Sequence, residues 1–91
     1  MVTASAELKF YIPQSISLKD KRQIRQSIIA KARQKFNVSI AEVDTQDLCQ
    51  TLTLGIAVVS GDGKHAGQMV EEIIRFIEDN IDADLMKIEY M

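Results

Sequence analysis

The sequence predicts an α+β sandwich, and three observations predict it. Apolar residues occupy every even position from Val2 to Ile12, a period of two that marks a strand with one buried face. Two longer stretches, Leu18–Lys35 and Lys64–Asn80, repeat their apolar residues at spacings of three and four, as amphipathic helices do. Between and after them lie Val38–Asp44, Gln50–Ser60 and Ala83–Tyr90, which read as strands. The resulting order β-α-β-β-α-β has two helical stripes that must share one sheet face. It specifies a ferredoxin-like fold: a four-stranded antiparallel sheet in the order 4-1-3-2, with both helices on one side. One domain is expected to span 1–91.

Each element has its own local signals. Pro13 lacks a backbone donor and closes the first strand. Ser17, with Asp20 three residues later, has the spacing of an N-cap and places an acid near the positive end of the helix dipole. The stripe of the first helix is Ile24, Ile28, Ile29 and Ala32, with Leu18 and Phe36 extending it. Lys19, Arg22 and Arg33 fall on the opposite side, whereas Lys21, Arg25, Lys31 and Lys35 fall within the stripe or at its edges. Those four are expected to lay their alkyl stems along apolar neighbours and lift their charges outward.

In the third strand Leu52, Leu54, Ile56 and Val58 form the buried face, and Gly55 marks a bulge or a close backbone approach. Asp62 follows a glycine-rich turn as the N-cap of the second helix, whose stripe is Ala66, Met69, Val70, Ile73 and Ile77. Glu71, Glu72, Glu78 and Asp79 make its other face acidic. Met86 and Ile88 in the last strand read as packing residues.

Charge is distributed unevenly. Residues 1–36 carry eight basic and two acidic side chains, residues 37–91 three basic and eleven acidic, within an overall net charge of -2. The single cysteine, Cys49, excludes an internal disulfide framework and a multi-cysteine zinc site. With no signal-peptide pattern and no apolar run of about 18 residues, the expected compartment is a reducing cytoplasm, without membrane association.

Several segments together resemble a known family. Ser17-Leu18-Lys19-Asp20-Lys21-Arg22, then Lys35–Val43, Gln46-Asp47-Leu48 and Leu54–Ser60, are similar to the YlxP-like family of small bacterial proteins over nearly the whole chain. The resemblance implies a ferredoxin-like fold and a bacterial cytoplasmic protein. It brings no established activity, although the family's genes often lie beside those for translation initiation and ribosome maturation. Against the family pattern, Cys49 replaces a common tryptophan, Thr45 a histidine, Thr51 an arginine, and Arg25 an aliphatic residue.

The residues themselves argue against catalysis. Acylphosphatases share this element order, but an anion cradle needs an arginine and converging amides in the first loop, and Pro13–Ile16 has neither arginine nor glycine. His65 has no nucleophile paired with it by spacing, and Cys49, with no basic residue within four positions, reads as a buried structural thiol. Glu42, Asp44 and Asp47 lack the glycine and ligand spacing of a calcium loop and read as acidic turn residues. No cofactor or metal is implied. Base stacking on the open sheet face is disfavoured because that face offers Tyr11 alone, beside Glu7, Lys9, Thr51 and Thr53.

The preferred reading is a non-enzymatic binding or accessory protein. Its candidate nucleic-acid contacts are Lys19, Arg22 and Arg33, with Arg25 and Lys21 beside them, and its preferred partner is RNA or a ribosomal assembly. Lys19 to Arg33 covers about 21 Å of helix, enough to follow several phosphates. The competing reading is a protein-interaction module that self-associates through Ala41, Val43, Ala57 and Val59 on the open sheet face.

Overall fold

The computed structural model describes residues 1–91. Its elements are β1 (Val2–Tyr11), α1 (Leu18–Lys35), β2 (Ser39–Asp44), β3 (Thr51–Ser60), α2 (Gly63–Asn80) and β4 (Asp84–Tyr90). The four strands form one antiparallel sheet in the order β2-β3-β1-β4, which is the expected 4-1-3-2 read from the other edge. The bounds of α1 are those read from its apolar spacing. Elsewhere the strands begin one residue later than expected or end one earlier, and α2 starts at Gly63.

β1 and β3 are the centre of the sheet, paired along their full length from Val2 opposite Ser60 to Tyr11 opposite Thr51. Their even positions face the helices: Leu8, Phe10, Leu52 and Leu54 are fully buried, and Ala6, Ile56 and Val58 nearly so. Ile12 extends the pairing by donating its amide to Gln50 O at 2.8 Å, and Pro13 ends it.

Both helices start at the predicted caps. Ser17 Oγ accepts from Asp20 N at 3.1 Å, and Asp20 returns a contact by accepting from Ile16 N at 3.0 Å. Asp62 Oδ1 accepts from Lys64 N at 3.1 Å. α2 packs chiefly over β1 and β3 with Ala66, Val70, Ile73, Ile74 and Ile77 buried. The helices meet at Phe36 and Phe76, edge to face with centroids 5.5 Å apart.

Gly55 provides a close approach, and the bulge lies opposite it. The β2–β3 register shifts between Glu42 and Asp44, so Val43 is the extra residue. Its side chain folds over Gly55, where a Cβ would stand 2.7 Å from Val43 Cγ1.

β4 departs from expectation. Met86 is 64% exposed and Ile88 37% exposed, so neither serves as core packing. The cause is twofold: β4 is an edge strand beyond the main footprint of α2, and Met86 is the bulged residue between Leu85 and Lys87. Tyr90 tethers the strand's end to α2 by donating its hydroxyl to Glu71 Oε1 at 2.6 Å. That bond to a carboxylate holds the phenol above its ordinary pKa of 10.0, with smaller contributions from desolvation and from the Glu71 charge. The interaction therefore favours the folded state below the unfolded phenol's pKa and fades as pH rises through the raised one.

Candidate nucleic-acid interface on the first helix

α1 carries seven cations, Lys19, Lys21, Arg22, Arg25, Lys31, Arg33 and Lys35, against one acid, Asp20. Packing divides them into groups with different chemistry.

Lys21 goes inward. Its side chain is 2% exposed, and Nζ donates to Thr45 O at 2.8 Å and to Gln46 O and Thr51 O at 3.2 Å each. All three ammonium donors are thereby used. Glu42 Oε2 stands 2.9 Å away as a charge partner without hydrogen-bond alignment, which leaves that buried oxygen neutralised in charge yet unbonded. Arg25 Nη1 lies 2.7 Å from Glu42 Oε1 and is 28% exposed.

One nearly buried carboxylate, 6% exposed, thus serves two cations. This corrects two expectations. Lys21 does not lift its charge outward, and it is withdrawn from the set of nucleic-acid contacts because its donors are committed to the β2–β3 hairpin. Arg25 shares the single charge of Glu42 with Lys21 and keeps only an edge of its guanidinium for a ligand.

The hairpin that Lys21 clips contains the chain's one non-glycine residue with positive φ, Thr45 at 57°. Thr45 N donates to Asp44 Oδ1, and its hydroxyl lies 2.9 Å from Thr53 Oγ1. A β-branched residue is costly in that conformation, and these bonds together with Lys21 hold it there.

The outward cations are left without acids. Lys19, Arg22 and Arg33 lie within about 60° of one another around the helix, given 3.6 residues per turn. All three are exposed, and none has a carboxylate within 4.0 Å. Arg33 leans over the β2 edge and donates to Ile40 O at 3.2 Å. Between α1 and β2 runs a groove of about 560 Å³, lined by Arg25, Ile29, Arg33, Ile40, Glu42 and Gln46 among others. Lys31 is exposed on the flank that faces Asn80 and Asp82. Lys35 caps the aromatic pair, its Nζ 5.0 Å from the Phe76 centroid and 5.7 Å from that of Phe36.

Other sequence candidates are dispersed. No three His, Cys, Asp or Glu side chains converge into a metal-binding group, and Glu42 is committed to Lys21 and Arg25. His65 is exposed in the first turn of α2, and Cys49 is half-buried in the hairpin rather than fully enclosed. On the open sheet face Ala41, Val43 and Val59 are exposed and Ala57 half-buried. The residue that sequence reading missed is Glu42. Its signal was parity, since Glu42 shares the inward face of β2 with Ile40 just as Lys21 shares the stripe of α1 with Ile28.

The family described as "Protein of unknown function (DUF503)" matches residues 3–90. The chain belongs to the DUF503 family. Its relative in Bacillus subtilis (strain 168), described as "Uncharacterized protein YlxP", is 36% identical over 73 residues, covering 80% of this chain and 79% of that protein. This bears out the YlxP-like resemblance, and it brings no activity with it. Among solved structures, a de novo designed protein with a ferredoxin fold, determined by solution NMR, aligns with 100% of the DUF503 chain and 84% of its own length, with a TM-score of 0.61 at 20% identity. That likeness concerns the fold alone. No helix of this DUF503 protein is long and apolar enough to cross a membrane.

Proposed function

We propose that this DUF503 protein is a non-enzymatic accessory factor of the bacterial cytoplasm that binds RNA, alone or within a ribosomal assembly, along the outer face of α1. One observation carries the reading: α1's inward cations, Lys21 and Arg25, are both paired with Glu42, whereas Lys19, Arg22 and Arg33 have no carboxylate within 4.0 Å. Unpaired surface cations along one helix face attract a polyanion by releasing its condensed counterions. The groove beside β2 adds Arg33 and the exposed edge of Arg25 to that track. Because the open sheet face contributes Tyr11 as its one aromatic on β1 and β3, contacts are expected to follow the phosphates rather than stack on bases.

Fluorescence anisotropy with a labelled RNA hairpin, titrated across a range of potassium chloride concentrations, tests this. Affinity should fall steeply with salt, and each charge removed in Lys19→Gln, Arg22→Gln and Arg33→Gln should lower the log-log slope by roughly one. The absence of binding at low salt, or a slope indifferent to all three substitutions, refutes the reading.

A further inference from the structure

The open face of the sheet carries a charge pattern that the fold itself does not favour. β1 and β4 place Glu7 directly opposite Glu89 and Lys9 directly opposite Lys87. Like charges opposed across an antiparallel pair destabilise it, and exchanging the residues on one strand would have given two attractive pairs instead. The one contact that relieves the pattern is loose: Lys87 Nζ lies 4.0 Å from Glu89 Oε1, with both side chains more than half exposed. The same face continues over β3 and β2 as a small apolar field, where Val43 lies over Gly55 beside Ala41, Ala57 and the 62% exposed Val59.

We infer that this face is covered by a second copy of the chain, docked with the two sheets face to face. The charge rows decide the occupant and its orientation. Consider a two-fold axis lying between the sheets, parallel to the inter-strand direction and midway between the Glu7/Glu89 and Lys9/Lys87 rows. It sets each acidic row on the partner's basic row, because the rotation reverses strand direction while keeping β1 over β1 and β4 over β4. Glu7, Glu89, Lys9 and Lys87 of the two copies then alternate across the interface, so the like-charge neighbours within each sheet acquire opposite charges above them, while Asp44, which continues the basic row beyond Thr53, falls at the interface edge. The interface is isologous, as two-fold dimers require, and strands aligned in this way form an ordinary sheet-on-sheet sandwich.

The same rotation exchanges the Glu7 and Lys9 rows along their whole length, so Ala41 and the Val43 side chain over Gly55 meet Thr53 and Asp44 of the second copy, and Tyr11 lies over the Ser5 row. Both copies of α1 remain on the outside of the sandwich, so this inference is independent of RNA binding.

Sedimentation velocity on the full chain at low and high salt provides the test. The wild type should dimerise at micromolar concentration in low salt and dissociate as salt rises. Lys9→Glu/Lys87→Glu, which makes both rows acidic, should be monomeric, as should Glu7→Lys/Glu89→Lys, which makes both basic. Mixing those two variants should produce a heterodimer, and the fourfold swap that exchanges the rows should restore the homodimer. Circular dichroism of each variant separates loss of association from loss of fold. A wild-type monomer at high micromolar concentration in low salt overturns the inference, and so does a dimer that survives either double variant.

Discussion

The two helices have the same length and lie on the same face of the sheet, yet they are held there by different physics. α2 buries Ala66, Val70, Ile73, Ile74 and Ile77, an unbroken apolar stripe over the two central strands. α1 buries Ile28, Ala32 and a lysine. Its junction with the sheet depends on Lys21 and Arg25 meeting Glu42, and on Lys21 donating to three carbonyls of the hairpin. The apolar stripe of α2 is therefore accounted for by folding, and its outward Glu72, Glu78 and Asp79 are not. In α1 folding accounts for part of the sequence and leaves an outward row of cations that packing does not require.

If the comparison holds, the largest loss should come from α2. Ile73 is fully buried, so Ile73→Ala should cost about 4 kcal/mol, near the top of the 2–5 kcal/mol observed for such deletions. Urea denaturation should show this as a lower midpoint with an unchanged slope. Lys21→Met comes next, at about 3 kcal/mol, because removing one member of a buried pair strands the other. Arg25 still faces Glu42, which keeps the loss at the lower end of that range. Adding Glu42→Gln should recover nothing, because Arg25 already balances that carboxylate in the single variant and would lose its own partner, while the three bereft carbonyls stay unpaired. Full recovery would mean that the ion pair, rather than the clip on the hairpin, secures α1.

Lys35 sharpens the boundary between the helices. It is a cation of α1 whose position over Phe36 and Phe76 serves the contact with α2. Lys35→Gln should cost about 0.5–1 kcal/mol, the range for cation–π contacts at exposed sites. Its effect on RNA affinity should be smaller than that of Arg22 or Arg33, and the same anisotropy titration measures it.

Much of this division was legible in the sequence. The period of two in β1 and the spacings of three and four in both helices give the six elements, and Ser17 and Asp62 mark the helix starts. The open-face positions Ala41, Val43 and Val59 follow from alternation alone. Lys21 was misjudged for a physical reason. A lysine on an apolar stripe ordinarily snorkels, and whether it turns inward depends on acceptors that lie far along the chain, at Thr45, Gln46, Thr51 and Glu42. The opposed charge rows were hidden for a similar reason: Glu7 and Lys9 alternate harmlessly along β1, and only the register with β4 sets like charges against each other. Met86 depended on register too, since a bulge changes which face a residue joins.

The smallest effect on stability should come where the effect on binding is largest. Arg22 and Arg33 are exposed, and neither has a carboxylate partner. The one protein contact that either makes from its charged end is the bond from Arg33 to the Ile40 carbonyl. Removing surface charges of this kind usually changes stability by less than about 0.5 kcal/mol. Taking two positive charges from a helix that already repels itself offsets part of whatever the Arg33 bond contributes. Arg22→Gln/Arg33→Gln should therefore unfold at nearly the wild-type urea midpoint while losing most of its RNA affinity at low salt. A drop of more than about 1 kcal/mol would place these arginines among the groups that secure α1, since that exceeds what exposed positions ordinarily contribute. The contrast between a helix held by packing and a helix left with unspent charge would then fail at its most exposed point.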